Sequence, residues 1–128
     1  MKILLDTNVF LWWIADQRRL SPHAETILRD PSSELLLSAA SGWEIAIKTR
    51  LGKIKLATTP EIFVPQHMSS NRIAPLAVEM RHALQVSALP DPHRDPFDRL
   101  IIAQCQVEGI PIVTNDAAMA RYGVKVLW

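Results

Sequence analysis

The chain has 128 residues, and its 14 Lys and Arg against 13 Asp and Glu give a formal net charge of +1. Hydrophobic residues make up 48% and charged residues 21% of the sequence, which excludes a disordered chain and predicts a folded core of single-domain size. One cysteine excludes an intrachain disulfide, and no apolar run approaches the roughly 20 residues of a membrane span. We expect a soluble, cytoplasmic protein whose near-neutral charge does not by itself indicate a nucleic-acid partner.

The first half of the chain alternates short apolar runs with helical segments. The apolar runs predict strands over Lys2–Leu5 and Glu34–Ser38. Helices are predicted over 8–15, Pro22–Arg29 and 41–51, since Ser21 is a good N-cap and Gly52 is a typical residue after a helix end.

The second half continues this alternation. Helices are predicted over Pro60–Ser70, 78–88 and 95–108, with a short one over 117–121, and strands over 72–74, 111–114 and 124–127. Asp95 caps the helix over 95–108, because Pro96 occupies its first turn. Apolar strands that alternate with helices indicate a parallel sheet covered on both faces. The predicted fold class is α/β, a three-layer α/β/α sandwich with a central parallel β-sheet, formed by residues 1–128 as a single domain.

Four acidic residues fall where such a fold brings strand ends and helix starts together. Asp6 follows the first strand and Asp116 follows the strand over 111–114, while Glu44 and Asp98 lie in the first turns of predicted helices. In a parallel α/β sheet the carboxyl ends of the strands share one edge with the starts of the following helices. We therefore expect the four carboxylates to converge.

Converging carboxylates raise one another's pKa unless a cation compensates their charge. All-oxygen ligands favour Mg²⁺, with Mn²⁺ as a substitute, over Zn²⁺. Acid-rich Mg²⁺ sites typically act on phosphate groups, because the metal polarises the phosphoryl oxygen and activates water. The pattern therefore indicates metal-assisted phosphate chemistry.

Three of the acids also have structural interpretations that the spacing leaves open. Asp6 could cap the helix over 8–15, and Asp116 could begin a turn. Glu44 could form a surface pair with Lys48, four residues further along the helix.

Asp98 is more informative, although it also lies at the position where an acid can support the cap at Asp95. It shares a helical ridge with Ile101, Ile102 and Cys105, which are expected to be buried. A carboxylate on such a ridge is costly without a partner, which favours a functional role for Asp98 and leaves Asp95 as the cap.

Five pieces of sequence support these assignments as a set. They are L-L-D-T-N at 4–8, S-x-x-S-G-W-E-I-A-I-K at 38–48, L-G-K at 51–53, H-R-D-P-F-D-R-L-I-I-A-Q at 93–104 and T-N-D at 114–116. In this order they resemble the PIN-domain ribonucleases, specifically the VapC-like toxins of bacterial and archaeal toxin–antitoxin pairs. The resemblance spans nearly the whole chain and implies a single PIN domain over 1–128.

The resemblance implies a metal-dependent endoribonuclease that cuts RNA phosphodiester bonds with metal-activated water. The positions that match the acidic quartet of the family are Asp6, Glu44, Asp98 and Asp116. Asp6 and Asp98 would be the principal ligands of Mg²⁺, and the other two would assist through water or a second ion. The residues implied to surround and orient these ligands are Thr7, Asn8, Asp95 and Thr114.

The family also implies partners, namely a cognate antitoxin, an RNA substrate and a second copy of the chain in a homodimer. Trp12 and Trp13 give the first helix an aromatic edge that is either core or a partner surface. Six basic residues near the acids could contact RNA phosphate or form a solvated face: Lys48, Arg50, Lys53, Lys55, Arg94 and Arg99.

The remaining histidines and the cysteine carry weaker expectations. His93 either supports the turn before the helix over 95–108 or touches substrate. His23, His67 and His82 are expected at the surface, and Cys105 is expected as an inert core thiol.

Two other functions remain as alternatives. A phosphohydrolase could use Asp6 as a nucleophile and form a phospho-aspartate, but its usual pattern needs a second acid where Asn8 stands. A non-catalytic PIN-like interaction module would keep the fold and lose the chemistry, although all four acidic positions are filled here.

Overall fold

The central element of the computed structural model, which describes residues 1–90 and 94–128, is a five-stranded sheet with only parallel pairings. The strands are β1 (Lys2–Leu5), β2 (Glu34–Ser38), β3 (Ile73–Leu76), β4 (Ile112–Val113) and β5 (Val126–Leu127). Their order is β3-β2-β1-β4-β5, so the chain builds outward from β1 in one direction and then returns to its other side. Ligands bind beyond the carboxyl ends of the strands at such a reversal point.

Across the described residues, six α-helices connect and cover the strands. They are α1 (Thr7–Ala15), α2 (Pro22–Arg29), α3 (Ala39–Arg50), α4 (Pro60–Ser70), α5 (Met80–Gln85) and α6 (Pro96–Glu108). Short 3₁₀ segments lie at Gln17–Arg19, Val86–Ala88 and Ala117–Tyr122. Within the described residues, we find no helix with the length and apolar character needed to cross a bilayer.

The alternation of side chains along the strands divides the core into two clusters. Ile3 and Leu5 of β1 belong to one cluster and Leu4 belongs to the other. The first cluster includes Phe10 of α1, Leu28 of α2 and Phe63 of α4, and the second includes Ile101 of α6 and Met119. Helical segments therefore cover both faces of the sheet, and the predicted three-layer α/β/α sandwich is confirmed.

The element boundaries differ from the sequence prediction where caps and packing decide them. Ser38 accepts a hydrogen bond from the Ala40 amide at 2.9 Å, so α3 begins at Ala39 and Glu44 lies in its second turn. The single helix predicted over 78–88 is instead the short α5 followed by a 3₁₀ segment. β3 continues through Pro75, which a strand at the edge of a sheet tolerates.

Candidate active site

A polar cleft of about 400 Å³ opens beyond the carboxyl ends of β1 and β4. Its lining residues are Asp6, Thr7, Asn8, Glu44, Lys48, Asp95, Asp98, Asn115 and Asp116, and we call it the acidic cleft. The four acids come from four different places in the fold: the end of β1, α3, the first turn of α6 and the segment after β4. The structure therefore brings together the four carboxylates that the sequence predicted would converge.

Asp6 both caps a helix and faces the cleft, so its two predicted interpretations hold together. Its Oδ1 accepts a hydrogen bond from the Thr7 amide at 2.8 Å, and its Oδ2 accepts one from Thr114 Oγ1 at 2.7 Å. Burial raises the pKa of Asp6, although the hydrogen bonds from Thr114 and Thr7 oppose this; the charges of Glu44 and Asp116 raise it further. The orientation of Asp6 is fixed, while its charge is poorly compensated.

Glu44 is held from two sides. Its Oε1 accepts a hydrogen bond at 2.7 Å from Thr7 Oγ1, which also lies 2.8 Å from Ser41 Oγ. Its Oε2 lies 2.5 Å from Lys48 Nζ, and this hydrogen bond raises the pKa of Lys48 despite the burial of the amine. The pair predicted from the spacing exists, but Glu44 is buried rather than on the surface.

The charge of Asp98 is compensated only in part. The cap role belongs to Asp95, whose Oδ1 accepts hydrogen bonds from the Phe97 amide at 2.8 Å and the Asp98 amide at 3.2 Å. Burial, followed by the charges of Asp6 and Asp95, raises the pKa of Asp98 to about 7. The Arg94 guanidinium lies 3.7 Å from Asp98 Oδ2 and offsets only part of this effect.

Asp116 has its own cation. Its Oδ2 contacts Arg94 Nη2, and its Oδ1 accepts a hydrogen bond from the Ala118 amide at 3.0 Å. Thr114 Oγ1 accepts a hydrogen bond from the Asp116 amide at 3.1 Å while it donates to Asp6. Thr114 therefore lies behind the cleft and links two of its acids.

The remaining predicted residues separate into those near the cleft and those away from it. Asn8 lines the cleft with an exposed side chain. Arg99 donates hydrogen bonds to the carbonyl oxygens of Val86, Leu89 and Pro90 at 3.0 to 3.3 Å, which gives it a structural role before α6. The exposed cations Arg50, Lys53 and Lys55 do not line the cleft, and His93 lies outside the described residues.

Three further features of the site were not predicted from the sequence. Asn115 lines the cleft within the T-N-D piece, which was the available signal for it. Ser41 and the pairing of Arg94 with Asp116 depend on contacts between residues distant in the sequence.

A second group of candidate ligands lies at the start of α5 and the end of α6. Among the described residues, only Glu79, His82 and Glu108 form a set of three whose ligand atoms all lie within 4.8 Å of one another. Together with Arg81, we call them the helix-end cluster. His82 was predicted at the surface, and this is wrong, because its side chain is fully buried where α5 packs against α6.

The helix-end cluster is already satisfied by its own residues. His82 Nδ1 accepts a hydrogen bond from the Glu79 amide at 2.9 Å, which places the proton of a neutral ring on Nε2 and removes that nitrogen as a ligand. Arg81 lies 3.0 Å from Glu79 Oε1 and 2.6 Å from Glu108 Oε2. The acidic cleft, with oxygen donors and an Asp98 whose charge is only partly compensated, is the arrangement that fits a divalent cation of the Mg²⁺ class.

The family model of the PIN domain matches residues 3–125. The chain belongs to the PIN domain family. This PIN domain is 33% identical over 123 residues to Ribonuclease VapC22 of Mycobacterium tuberculosis, which covers 94% of this chain and 91% of that protein. It is 39% identical over 66 residues to Ribonuclease VapC16 of the same organism, or 52% of this chain and 47% of that protein. The resemblance to VapC-like PIN domains is confirmed.

Solved structures agree with this assignment at the level of the fold. The PIN domain is similar to a chain of VapBC2 from Rickettsia felis bound to a promoter DNA fragment, with a TM-score of 0.72, 15% identity and coverage of 98% of this chain and 97% of that chain. It is also similar to a chain of DNA-bound VapBC from Salmonella typhimurium, with a TM-score of 0.69, 20% identity and coverage of 98% and 96%.

Proposed function

We propose that this PIN domain is the toxin of a toxin–antitoxin pair and hydrolyses RNA phosphodiester bonds as a Mg²⁺-dependent endoribonuclease. The observation that carries the proposal is the convergence of four carboxylates in one cleft around Asp98, whose pKa is raised to about 7. Such a cleft stabilises a cation and would hold it next to a phosphate group. The similarity to a protein named Ribonuclease VapC22 supports RNA as the substrate.

Asp6 and Asp98 are the residues best suited to hold the metal directly. Glu44 and Asp116 each contact a cationic side chain, Lys48 and Arg94 respectively, whereas Asp6 accepts only neutral hydrogen bonds and Asp98 lies 3.7 Å from Arg94, beyond hydrogen-bond distance. A bound Mg²⁺, or Mn²⁺ in its place, would supply Lewis-acid polarisation of the phosphodiester and activation of the attacking water.

The residues around the acids keep the site in one geometry. The Thr7 amide and Thr114 hydroxyl orient Asp6, and the Thr7 hydroxyl orients Glu44. Polar groups that orient ligands in this way reduce the reorganisation needed when the reactants bind. This supports the proposed orienting roles of Thr7 and Thr114, with Asn8 and Asp95 at the margin of the cleft.

The proposal extends to partners and location. We propose a cognate antitoxin, a homodimer and a cytoplasmic site of action, where RNA is accessible, with residues 1–128 acting as one domain. Trp13 belongs to the core, whereas Trp12 is partly exposed and lines an apolar groove of about 360 Å³ with Leu56 and Phe63. This groove supports a role for the edge of α1 as an antitoxin contact.

The two alternatives have less support. A phospho-aspartate mechanism with Asp6 as the nucleophile needs a second acid two residues further on, and Asn8 stands at that position. A non-catalytic module would not require four buried or half-buried carboxylates in one cleft, because their mutual repulsion destabilises the fold.

The direct test incubates the purified chain, freed of any copurifying partner, with structured RNA in Mg²⁺ or in EDTA. We expect endonucleolytic cleavage in Mg²⁺ that is lost in EDTA and lost in Asp6→Ala and Asp98→Ala variants. Glu61→Gln, which changes an exposed acid on α4, is the matched control and keeps activity. Equal cleavage in EDTA, or in both alanine variants, would contradict the proposal.

The toxin assignment is tested separately in cells. Expression of the free chain should arrest growth, and Asp98→Asn at matched expression should relieve the arrest. Equal toxicity of the variant would show that growth arrest does not depend on the acidic cleft.

A further inference from the structure

Two cations contact acids of the acidic cleft, Lys48 from its lining and Arg94 from behind Asp116 and Asp98, and they differ in how many of their N–H groups have acceptors. Lys48 places its single ammonium 2.5 Å from Glu44 Oε2. Arg94 contacts Asp116 through Nη2 alone, lies 3.7 Å from Asp98 Oδ2, and has a side chain only 16% exposed. Its Nε is buried and has no hydrogen-bond acceptor among the described residues.

A buried guanidinium N–H without an acceptor is unfavourable, so an arginine held in this way is expected to have another partner in a different state of the site. The Nε–H and one Nη–H of an arginine form a planar fork that matches two oxygens of a single phosphate. In this structure Arg94 uses one side of its guanidinium on Asp116 and leaves the Nε–H free for an additional acceptor.

Arg81 shows what a structural arginine in a similar setting does. It also contacts two carboxylates, but its Nε donates to Glu79 Oε1 at 3.0 Å and its Nη2 contacts Glu108 Oε2 at 2.6 Å. Its side chain is 56% exposed, so water can reach the remaining N–H groups. An idle, buried Nε–H distinguishes Arg94 from this purely structural arrangement.

We propose that Arg94 is a substrate-phosphate contact, whose guanidinium turns toward the acidic cleft when RNA binds and donates to non-bridging oxygens of the RNA backbone, so that the Nε–H gains the acceptor that it lacks here. The proposal rests on the proposed RNA substrate. Asp116 holds the guanidinium next to the cleft before RNA binds, and the 3.7 Å distance to Asp98 places it beside the acids proposed to hold the metal. Arg94 thus adds a positive charge where an otherwise acidic cleft must accept a polyanion.

The test measures binding of a fluorescein-labelled single-stranded RNA in EDTA at low salt, and KM for RNA cleavage in Mg²⁺. Arg94→Ala should weaken binding and raise KM by about tenfold, and the slope of log Kd against log salt should fall by about 0.7, the value for one phosphate contact to a single strand. Arg94→Lys should keep the salt slope but recover only part of the affinity, because an ammonium lacks the fork. Arg81→Ala is the matched control and leaves all three quantities unchanged.

A double variant separates phosphate contact from simple neutralisation of Asp116. If Arg94 acts only by neutralising that acid, Arg94→Ala combined with Asp116→Asn should bind RNA in EDTA like the wild type. We expect the double variant to remain about tenfold weaker. Wild-type affinity in the double variant, or in Arg94→Ala itself, would overturn the proposal.

Two further outcomes have clear meanings. Far-UV circular dichroism establishes that each variant is folded, and if Arg94→Ala is not, the Arg94→Lys variant decides: wild-type KM and affinity there overturn the fork contact. If the wild-type chain cleaves RNA and all Arg94 variants have its KM and RNA affinity, the phosphate contact is refuted and the proposed function is not. A wild-type chain that does not cleave RNA refutes the proposed function on which it rests.

Discussion

The acidic cleft and the helix-end cluster both bring carboxylates close together, but they differ in how the charge is compensated. In the helix-end cluster, Arg81 bridges two glutamates and His82 is committed to a backbone amide. In the acidic cleft, Arg94 lies 3.7 Å from Asp98 and compensates its charge only in part, so the pKa of Asp98 rises to about 7 through burial and the charges of Asp6 and Asp95. The cluster with the tighter ligand geometry is therefore the one with less need of a metal.

Close spacing of ligand atoms does not by itself make a metal site. The three ligand atoms of the helix-end cluster lie within 4.8 Å of one another, yet hydrogen bonds and ion pairs already occupy them. A site that binds a cation must lower its free energy when the cation arrives, and that requires charge left uncompensated by the protein.

Among the variants that distinguish the two clusters, Asp98→Asn should have the largest effect, which is on metal affinity. Removal of the proposed direct ligand should weaken Mg²⁺ and Mn²⁺ binding at least about 100-fold, beyond the cost of losing an orienting residue. Isothermal titration calorimetry measures the affinity, and Glu108→Gln in the helix-end cluster is the control that should leave it unchanged. Equal affinities for the wild type and Asp98→Asn would show that the cleft is not the metal site.

Thr114→Val tests whether the Thr114 hydroxyl orients the proposed metal ligands. The substitution nearly preserves the side-chain volume. The variant removes the 2.7 Å hydrogen bond to Asp6 and the acceptor for the Asp116 amide. We expect metal affinity to fall about 10-fold by titration calorimetry, as for other residues that orient ligands. The control is Thr26→Val, whose hydroxyl bonds a carbonyl on the exposed face of α2. An unchanged affinity in Thr114→Val would remove its orienting role.

His82→Ala should break the helix-end cluster without touching the acidic cleft. Loss of a fully buried ring and its hydrogen bond to the Glu79 amide should lower the free energy of unfolding by about 2 kcal/mol in urea denaturation. Mg²⁺ affinity and RNA cleavage should not change. A loss of bound metal in this variant would identify the helix-end cluster as a metal site after all.

The metal-free pH dependence of stability should differ between the wild type and Asp98→Asn. The pKa of Asp98 rises from 3.8 to about 7, so between these values the folded state binds a proton that the unfolded state does not. Stability in EDTA should therefore fall as pH rises from about 4 to 7, by about 1–2 kcal/mol after solvent screening. Asp98→Asn should lack this component. If the free energy of unfolding changed with pH in the same way for both proteins across that range, the raised pKa of Asp98 would be contradicted.

Much of the site was predictable because its local parts follow general rules. Ser21 and Asp95 cap helices as their positions predicted. The convergence of Asp6 and Asp116 followed from the rule that parallel strands present their carboxyl ends at one edge. These features depend on residues near in sequence or on the topology alone.

The sequence predicted only one of the pairs in which a cation compensates an acid. Glu44 and Lys48 are four residues apart, and their pairing was visible as a helix spacing. Arg94 and Asp116 are 22 residues apart, and His82 and Glu108 are 26 apart, so these contacts depend on how α5, α6 and the segment after β4 pack. The surface assignment of His82 was wrong for this reason.

The sequence by itself determined the order of strands and helices along the chain and the four acids that meet at one sheet edge, because local propensity and parallel topology are enough to place them. Its motifs, by their resemblance, indicated the family. Only the tertiary structure decided the state of each acid. Thr114 and Asp6 are 108 residues apart, and their hydrogen bond orients Asp6 for the cleft. The electrostatic imbalance at Asp98 likewise arises from burial and from charges on other elements. Beyond the i,i+4 pair of Glu44 and Lys48, charge compensation depends on contacts between residues that are far apart in the sequence.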